Sequence, residues 1–149
     1  MNYKIVEGAD KFRVEDVERL LKMTYWADKR QVETIVKSMQ NSACFGVVAE
    51  SGELIGFARV ISDYATSYYL CDVVVDEKYR GVGLGTALVS HIASSPKFAK
   101  LRGILITKDA HGLYAKFGFE VLNDRVMVKA AGGAMGDCCV KSMGKCCGE

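Results

Sequence analysis

Between Tyr79 and Leu88 the chain reads Tyr-Arg-Gly-Val-Gly-Leu-Gly-Thr-Ala-Leu, with glycine at every second position from Gly81 to Gly85. Glycine enters positive φ without penalty and carries no Cβ, so such a stretch can turn several backbone N–H groups toward one point and let a ligand approach the main chain. An apolar run precedes it and a helix-like pattern follows. Unpaired N–H groups and the positive end of a helix dipole would then meet an anion together. The chemistry expected of residues 80 to 86 is phosphate or pyrophosphate binding. A Walker A loop needs a lysine before its Ser/Thr, and here Thr86 follows Gly85 directly, which disfavours a nucleoside triphosphate with magnesium. The dinucleotide fingerprint G-x-G-x-x-G is missed by one residue, and no suitable acidic residue stands about 20 positions further on. A glycine triplet also serves in ordinary tight turns, so the elements around it have to decide.

Those elements read as follows. Residues 2 to 7 form a short strand, and Val14, Val17, Leu20, Leu21 and Thr24 place a helix over about 13 to 25. Asp28 with Gln31 resembles a capping box that opens a second helix, whose stripe is Val32, Ile35, Val36 and Met39. Residues 43 to 49 and 54 to 62 make an antiparallel hairpin across Glu50-Ser51-Gly52-Glu53. Residues 67 to 75 form a further strand that runs into the glycine loop. Leu84, Ala87, Leu88 and Ile92 share one face of the following helix, which Ser94-Ser95-Pro96 stops. A strand over 101 to 107, a short helix over about 110 to 116 capped by Gly118, and a hairpin of 119–122 with 125–129 complete the order β-α-α-β-β-β-α-β-α-β-β.

Arg80-x-x-Gly83-x-Gly85 resembles the Arg/Gln-x-x-Gly-x-Gly/Ala signature of the GCN5-related N-acetyltransferases (GNAT), whose loop holds the pyrophosphate of coenzyme A. A second segment, Tyr114-Ala115-Lys116-Phe117-Gly118-Phe119, is similar to that family's Tyr-x-Lys-x-Gly-Phe. The two occur in the family's order, and the resemblance covers residues 1 to about 129. It implies an α/β (α+β) fold with a mixed central sheet of about six or seven strands, one of them splayed to receive the cofactor, flanked by about four helices. It further implies acetyl-CoA as cofactor and transfer of the acetyl group to a primary amine of a small molecule or peptide, directly in a ternary complex. A non-catalytic acyl-CoA sensor and a nucleotide-binding module are the competing readings.

On that resemblance, the backbone of Gly81, Val82, Gly83, Leu84, Gly85 and Thr86 takes the pyrophosphate, with Arg80 adding charge or shaping the turn. The backbone from Asp72 through Val73, Val74 and Val75 pairs with the pantetheine arm, and an N–H near Val73 or Val74 polarises the thioester carbonyl. A bulge is expected in this strand. Tyr114 is the candidate acid, since a phenol pKa of about 10 nearly matches that of an alkyl thiol. His111, one turn earlier, shares its face and is a candidate contact to cofactor or acceptor. Asp72 interrupts an apolar strand beside the expected thioester. Partial desolvation there would raise its pKa and suit a proton acceptor, or it could orient the ammonium. Arg59, Asp63, Tyr25 and Trp26 are candidates for the acceptor pocket, aromatic walls and acidic groups suiting a cation. Many members carry Asn where this chain has Thr107, whose hydroxyl could still bond the pantetheine or a water at shorter reach.

Composition bounds the partners. The 149 residues are 50% hydrophobic and 26% charged with a formal net charge of +2, ordinary for one globular domain. Scattered basic residues give no nucleic-acid or membrane footprint. The absence of a signal-like N-terminus or a membrane-length run points to the cytoplasm. A homodimer is compatible with all of this. Of six cysteines, Cys44 and Cys71 lie in strand-like runs as small buried thiols. Cys138, Cys139, Cys146 and Cys147 lie in the extension 130–149, where adjacent pairs match zinc spacing poorly, so no metal is expected.

Overall fold

The computed structural model describes residues 1–131; the four tail cysteines lie outside them. The chain divides into two compact units, Met1–Leu105 and a second that begins at Ile106. The first holds a five-stranded sheet in the order β1 (Tyr3–Glu7), β2 (Ala43–Ala49), β3 (Leu54–Ser62), β4 (Ser67–Val75) and β5 (Arg102–Ile104). The first four strands are antiparallel neighbours, and β5 joins β4 in parallel. Three helices accompany them: α1 (Val14–Leu21), α2 (Val32–Gln40) and α3 (Leu84–Ser94).

Alternation along β2 sorts the core into two faces. Cys44 packs with Val17, Leu20 and Leu21 of α1, Ile35 and Met39 of α2, and Phe57 and Val74 of the neighbouring strands. Phe45, the next residue, meets His91 of α3 and Phe98 edge-on instead. Leu84, Leu88, Val89 and Ile92 of α3 are buried, and α3 lies against β2, β3 and β4.

Two expected helix boundaries move, and both shifts matter at the site. The helix expected to reach 25 stops at Leu21. Buried Thr24 donates its hydroxyl to Leu21 O (2.7 Å) and accepts from Ala27 N (3.1 Å), a side-chain substitute for the helical ladder. Asp28 makes no capping box: the α2 N-cap is Gln31, without a side-chain cap bond. A turn instead closes through Arg30 N to Ala27 O (3.1 Å), which lays residues 22–30 out as a loop.

The second unit contains α4 (His111–Ala115), closed by Gly118 at φ 87° as expected. The expected final hairpin is absent among the described residues. Residues 119–122 and 125–129 have turn geometry between them but no ladder, and Val121, Leu122, Val126, Met127 and Val128 are exposed. An isolated pair of strands buries too little to hold its register, and no third strand stands beside them among the described residues. The strand expected over 101–107 likewise shortens to Arg102–Ile104. The described sheet therefore has five strands where six or seven were expected.

Candidate acyl-transfer site

The strand β4 is built in two halves. Its first half pairs with β5 through Ser67, Tyr68 and Tyr69, and Tyr68 and Tyr69 pair with β3 as well. Beyond Tyr69 no described strand pairs with it on the β5 side, so Leu70–Val75 presents an open edge. In the same half the register with β3 slips: Cys71 pairs Arg59 and Val74 pairs Phe57, which leaves one extra residue on β4, a bulge. The bulged residue is Asp72, at φ 54°, a left-handed conformation that costs a non-glycine residue about 1 kcal/mol.

Three side chains hold Asp72 there. Its Oδ2 accepts from Arg30 Nη1 (2.6 Å) and Arg59 Nε (2.9 Å), and its Oδ1 accepts from Trp26 Nε1 (3.2 Å). Arg59 also donates to Ser42 Oγ (3.0 Å). Burial pushes the Asp72 carboxyl up, but the hydrogen bonds and charges of Arg30 and Arg59 outweigh it and hold it below its ordinary value. The expected direction is thus reversed, because desolvation was anticipated without the cations that accompany it. Burial works against the Arg59 charge as well, but the ionised, hydrogen-bonded Asp72 beside it works the other way, and the net shift is upward.

Past β4 the chain makes a one-turn 3-10 segment, Glu77–Tyr79, capped by Asp76. Asp76 is 1% exposed. It accepts from Lys78 N (3.0 Å) and from Arg19 Nη1 of α1 (2.5 Å), and Arg19 Nη2 donates to Leu54 O (2.6 Å). Burial raises the Asp76 carboxyl, the Lys78 N–H and Arg19 lower it, and the net shift is downward. Arg80 Nε donates to Val75 O (3.0 Å), which staples the loop to the strand end. Gly81 and Gly83 then take φ 81° and 86°, and a Cβ at either would meet nothing within 4 Å. These glycines are needed for backbone direction, and the space before them is open. Gly83 caps α3 without a side-chain bond. No backbone acceptor among the described residues takes the N–H groups of residues 81–86. Open N–H groups, left-handed glycines and a helix N-terminus together fit a pyrophosphate.

Of the acceptor-pocket candidates, the structure brings Trp26 and Arg59 together on Asp72, with Tyr25 edge-on to Trp26 (5.0 Å). It does not bring Asp63 to this cluster. That carboxylate accepts from Ala65 N (3.0 Å), Thr66 N (2.9 Å) and Thr66 Oγ1 (2.7 Å) in the β3–β4 turn. In the second unit Tyr114 is buried, with its ring edge-on to Phe119 (6.1 Å). Thr107 Oγ1 accepts from Ala110 N (3.0 Å), so this hydroxyl is engaged in the turn that leads into α4. His111 is exposed at the first position of that helix. Arg30, Arg19 and Asp76 escaped the sequence reading. Asp76 left one usable trace, a lone carboxylate ending an apolar strand just before a glycine loop; Arg30 left none. Among the described residues no group of His, Cys, Asp and Glu could hold a metal ion, and no helix is long and apolar enough to cross a membrane.

A loop built from backbone donors at the end of a bulged, open-edged strand defines a class, and comparison with known proteins agrees. The model of the acetyltransferase (GNAT) family matches residues 12–119. A GNAT-family structure from Xanthomonas campestris pv. campestris superposes with a TM-score of 0.82 at 33% identity, covering 88% of this chain and 94% of that one. GCN5-related N-acetyltransferase 2, chloroplastic, of Arabidopsis thaliana is 35% identical over 77 residues, 50% of this chain and 30% of its own length. L-2,4-diaminobutyric acid acetyltransferase of Halomonas elongata is 33% identical over 79 residues, 50% of this chain and 41% of its own length. The match thus spans less than half the length of these two curated relatives. The chain belongs to the GNAT acetyltransferase family.

Proposed function

We propose that the protein transfers an acetyl group from acetyl-CoA to a primary amine, directly and within a ternary complex. The observation that carries this is the second half of β4, where an open backbone edge with a bulge leads into unpaired loop N–H groups. Acetyl-CoA would supply an activated thioester carbonyl. Residues 81–86 bind its pyrophosphate and the edge at Val73–Val75 orients its arm, while an N–H near Val73 or Val74 donates to the carbonyl oxygen as charge develops. The amine nitrogen would form the new C–N bond as the C–S bond breaks, and the departing sulfur would take a proton, the role that the family resemblance gives Tyr114, which would recover one from solvent. The proton lost by the ammonium leaves through water. Asp72, with both oxygens engaged by three donors, orients the acceptor loop; a free proton acceptor would need an open lone pair and a raised pKa. Cys71 is no acyl carrier on this reading, because burial pushes its thiol up to about 12.

The test is thiol release from acetyl-CoA across amino acids, polyamines, aminoglycosides and N-terminal peptides. At least one amine should give turnover, and Tyr114→Phe should lower kcat about 10²- to 10⁴-fold with little change in KM for acetyl-CoA. Unchanged kcat would remove Tyr114 from the mechanism. Tight acetyl-CoA binding without release for any amine would favour the sensor.

A further inference from the structure

The cluster around Asp72 is not charge-balanced. It contains one carboxylate and two guanidinium groups, from Arg30 and Arg59, both directed at the same oxygen, Oδ2. The thiols beside it do not make up the difference. Burial lifts Cys44 to about 11 and Cys71 to about 12, so both are neutral near pH 7. Asp28 and Lys29 on the adjoining loop are exposed and offset each other. One positive charge is left over.

That charge is reachable. Asp72 is sealed, its side chain 2% exposed, whereas the Arg30 side chain is 22% exposed. Among the described residues every fully buried side-chain nitrogen or oxygen has a hydrogen-bond partner. Arg30 spends Nη1 on Asp72 and makes no other side-chain bond or ion pair, so its remaining nitrogens reach solvent. Asp72 fixes the guanidinium from one side, and Trp26, bonded to the same carboxylate, fixes the loop it stands on. An arginine held by one carboxylate with its other donors outward is a preformed anion receptor, since little side-chain entropy remains to be lost on binding. The bulge that carries Asp72 adjoins Val73, so this receptor flanks the proposed reaction centre.

We propose that Arg30, held by Asp72 and backed by Arg59, binds a carboxylate on the acceptor, so that the substrate class is amines carrying a carboxylate, as in diamino acids. The proposal rests on the acetyltransferase reading above and specifies its acceptor. One uncompensated charge matches one carboxylate; a phosphomonoester at about −1.5 to −2 would exceed it. Asp63 is taken up in its turn and Asp72 is already doubly paired, so neither carboxylate is left to receive a simple cation.

Matched acceptors test this on the wild-type protein: 2,4-diaminobutyrate, its methyl ester, 1,3-diaminopropane and phosphoethanolamine, read as thiol release. The free acid should exceed the ester and the diamine in kcat/KM by about tenfold or more, as a charged hydrogen-bonded contact implies. Arg30→Gln should raise KM for the acid by a similar factor and abolish the preference for the acid over its methyl ester, and be partly rescued by Arg30→Lys. Equal rates for acid and ester, or a preference for phosphoethanolamine, would overturn the carboxylate assignment while leaving acetyl transfer intact. Should no amine release thiol, thermal shift decides without turnover. Stabilisation by 2,4-diaminobutyrate and not by diaminopropane, lost in Arg30→Gln, supports the subsite, and no stabilisation of the wild type refutes it.

Discussion

The two ends of the open half of β4 each carry a buried aspartate joined to arginine, and they use that pair in opposite ways. At the loop end, Asp76 and Arg19 brace the backbone: they bond Lys78 N, Leu54 O and each other, and the N–H groups of residues 81–86 have no backbone acceptor among the described residues. At the bulge end, Asp72 is the hub on which Arg30 and Arg59 converge. On the proposed reading the loop recognises through backbone direction, with side chains as its support, and the bulge through side chains, with a distorted backbone as support. A diphosphate, the same in every acetyl-CoA, suits the first. An acceptor that differs between enzymes suits the second, because guanidinium and indole groups can be exchanged without rebuilding the strand.

The largest expected effect breaks the bulge end. Asp72→Ala leaves two guanidinium groups facing each other in a buried site, and loss of one partner of a buried ionic cluster costs about 3–5 kcal/mol. Urea unfolding should show it, with Asp72→Asn intermediate because the amide retains an acceptor oxygen. Asp76→Ala should cost less, about 1–2 kcal/mol, since it removes a cap and one ion pair whose arginine is 36% exposed. Asp76→Ala should nevertheless raise KM for acetyl-CoA more than Asp72→Ala does. Acid unfolding tests both ends. Both carboxyls are held below their ordinary values, so their contribution is complete above about pH 4 and is lost as pH falls through the lowered native pKa. Asp72→Asn and Asp76→Asn should each flatten the acid limb of the stability profile.

The same contrast explains what the sequence disclosed. The loop was legible because its chemistry is local: Gly81, Gly83 and Gly85 stand within five residues, directly after a strand and before a helix. The strands β2, β3 and β4 and the helix α3 were legible through periodicity and turn residues, and the bulge through family likeness. The partners of Asp72 were not, because Trp26, Arg30 and Arg59 come from two other elements, and no spacing in the chain encodes a contact across 42 residues. Thr24, an ordinary stripe residue by periodicity, ends its helix through two hydrogen bonds and so frees the loop that carries Arg30. The last hairpin was overread from two short runs on either side of Asn123-Asp124, since a turn and two runs become strands only where a paired neighbour holds them.

Smaller effects probe the loop from its own side. Gly83→Ala should cost about 1 kcal/mol for its left-handed φ, with no clash inside the protein. Its added methyl stands in the space proposed for the pyrophosphate, so KM for acetyl-CoA should rise by more than the stability loss suggests. A KM unchanged beside a measurable stability loss would remove the pyrophosphate from this turn. Arg80 gives the finest distinction. Its side chain is half exposed and pairs with Glu77 at 4.0 Å, so charge there contributes little to stability, within about 0.5 kcal/mol. Its Nε bond to Val75 O, by contrast, sets where the loop leaves the strand. Arg80→Lys keeps the charge and loses that bond. If the loop works through backbone direction, Arg80→Lys and Arg80→Gln should raise KM for acetyl-CoA by the same few-fold factor, whereas full activity in the lysine variant would make Arg80 a charge contact and narrow the difference between the two ends of the strand.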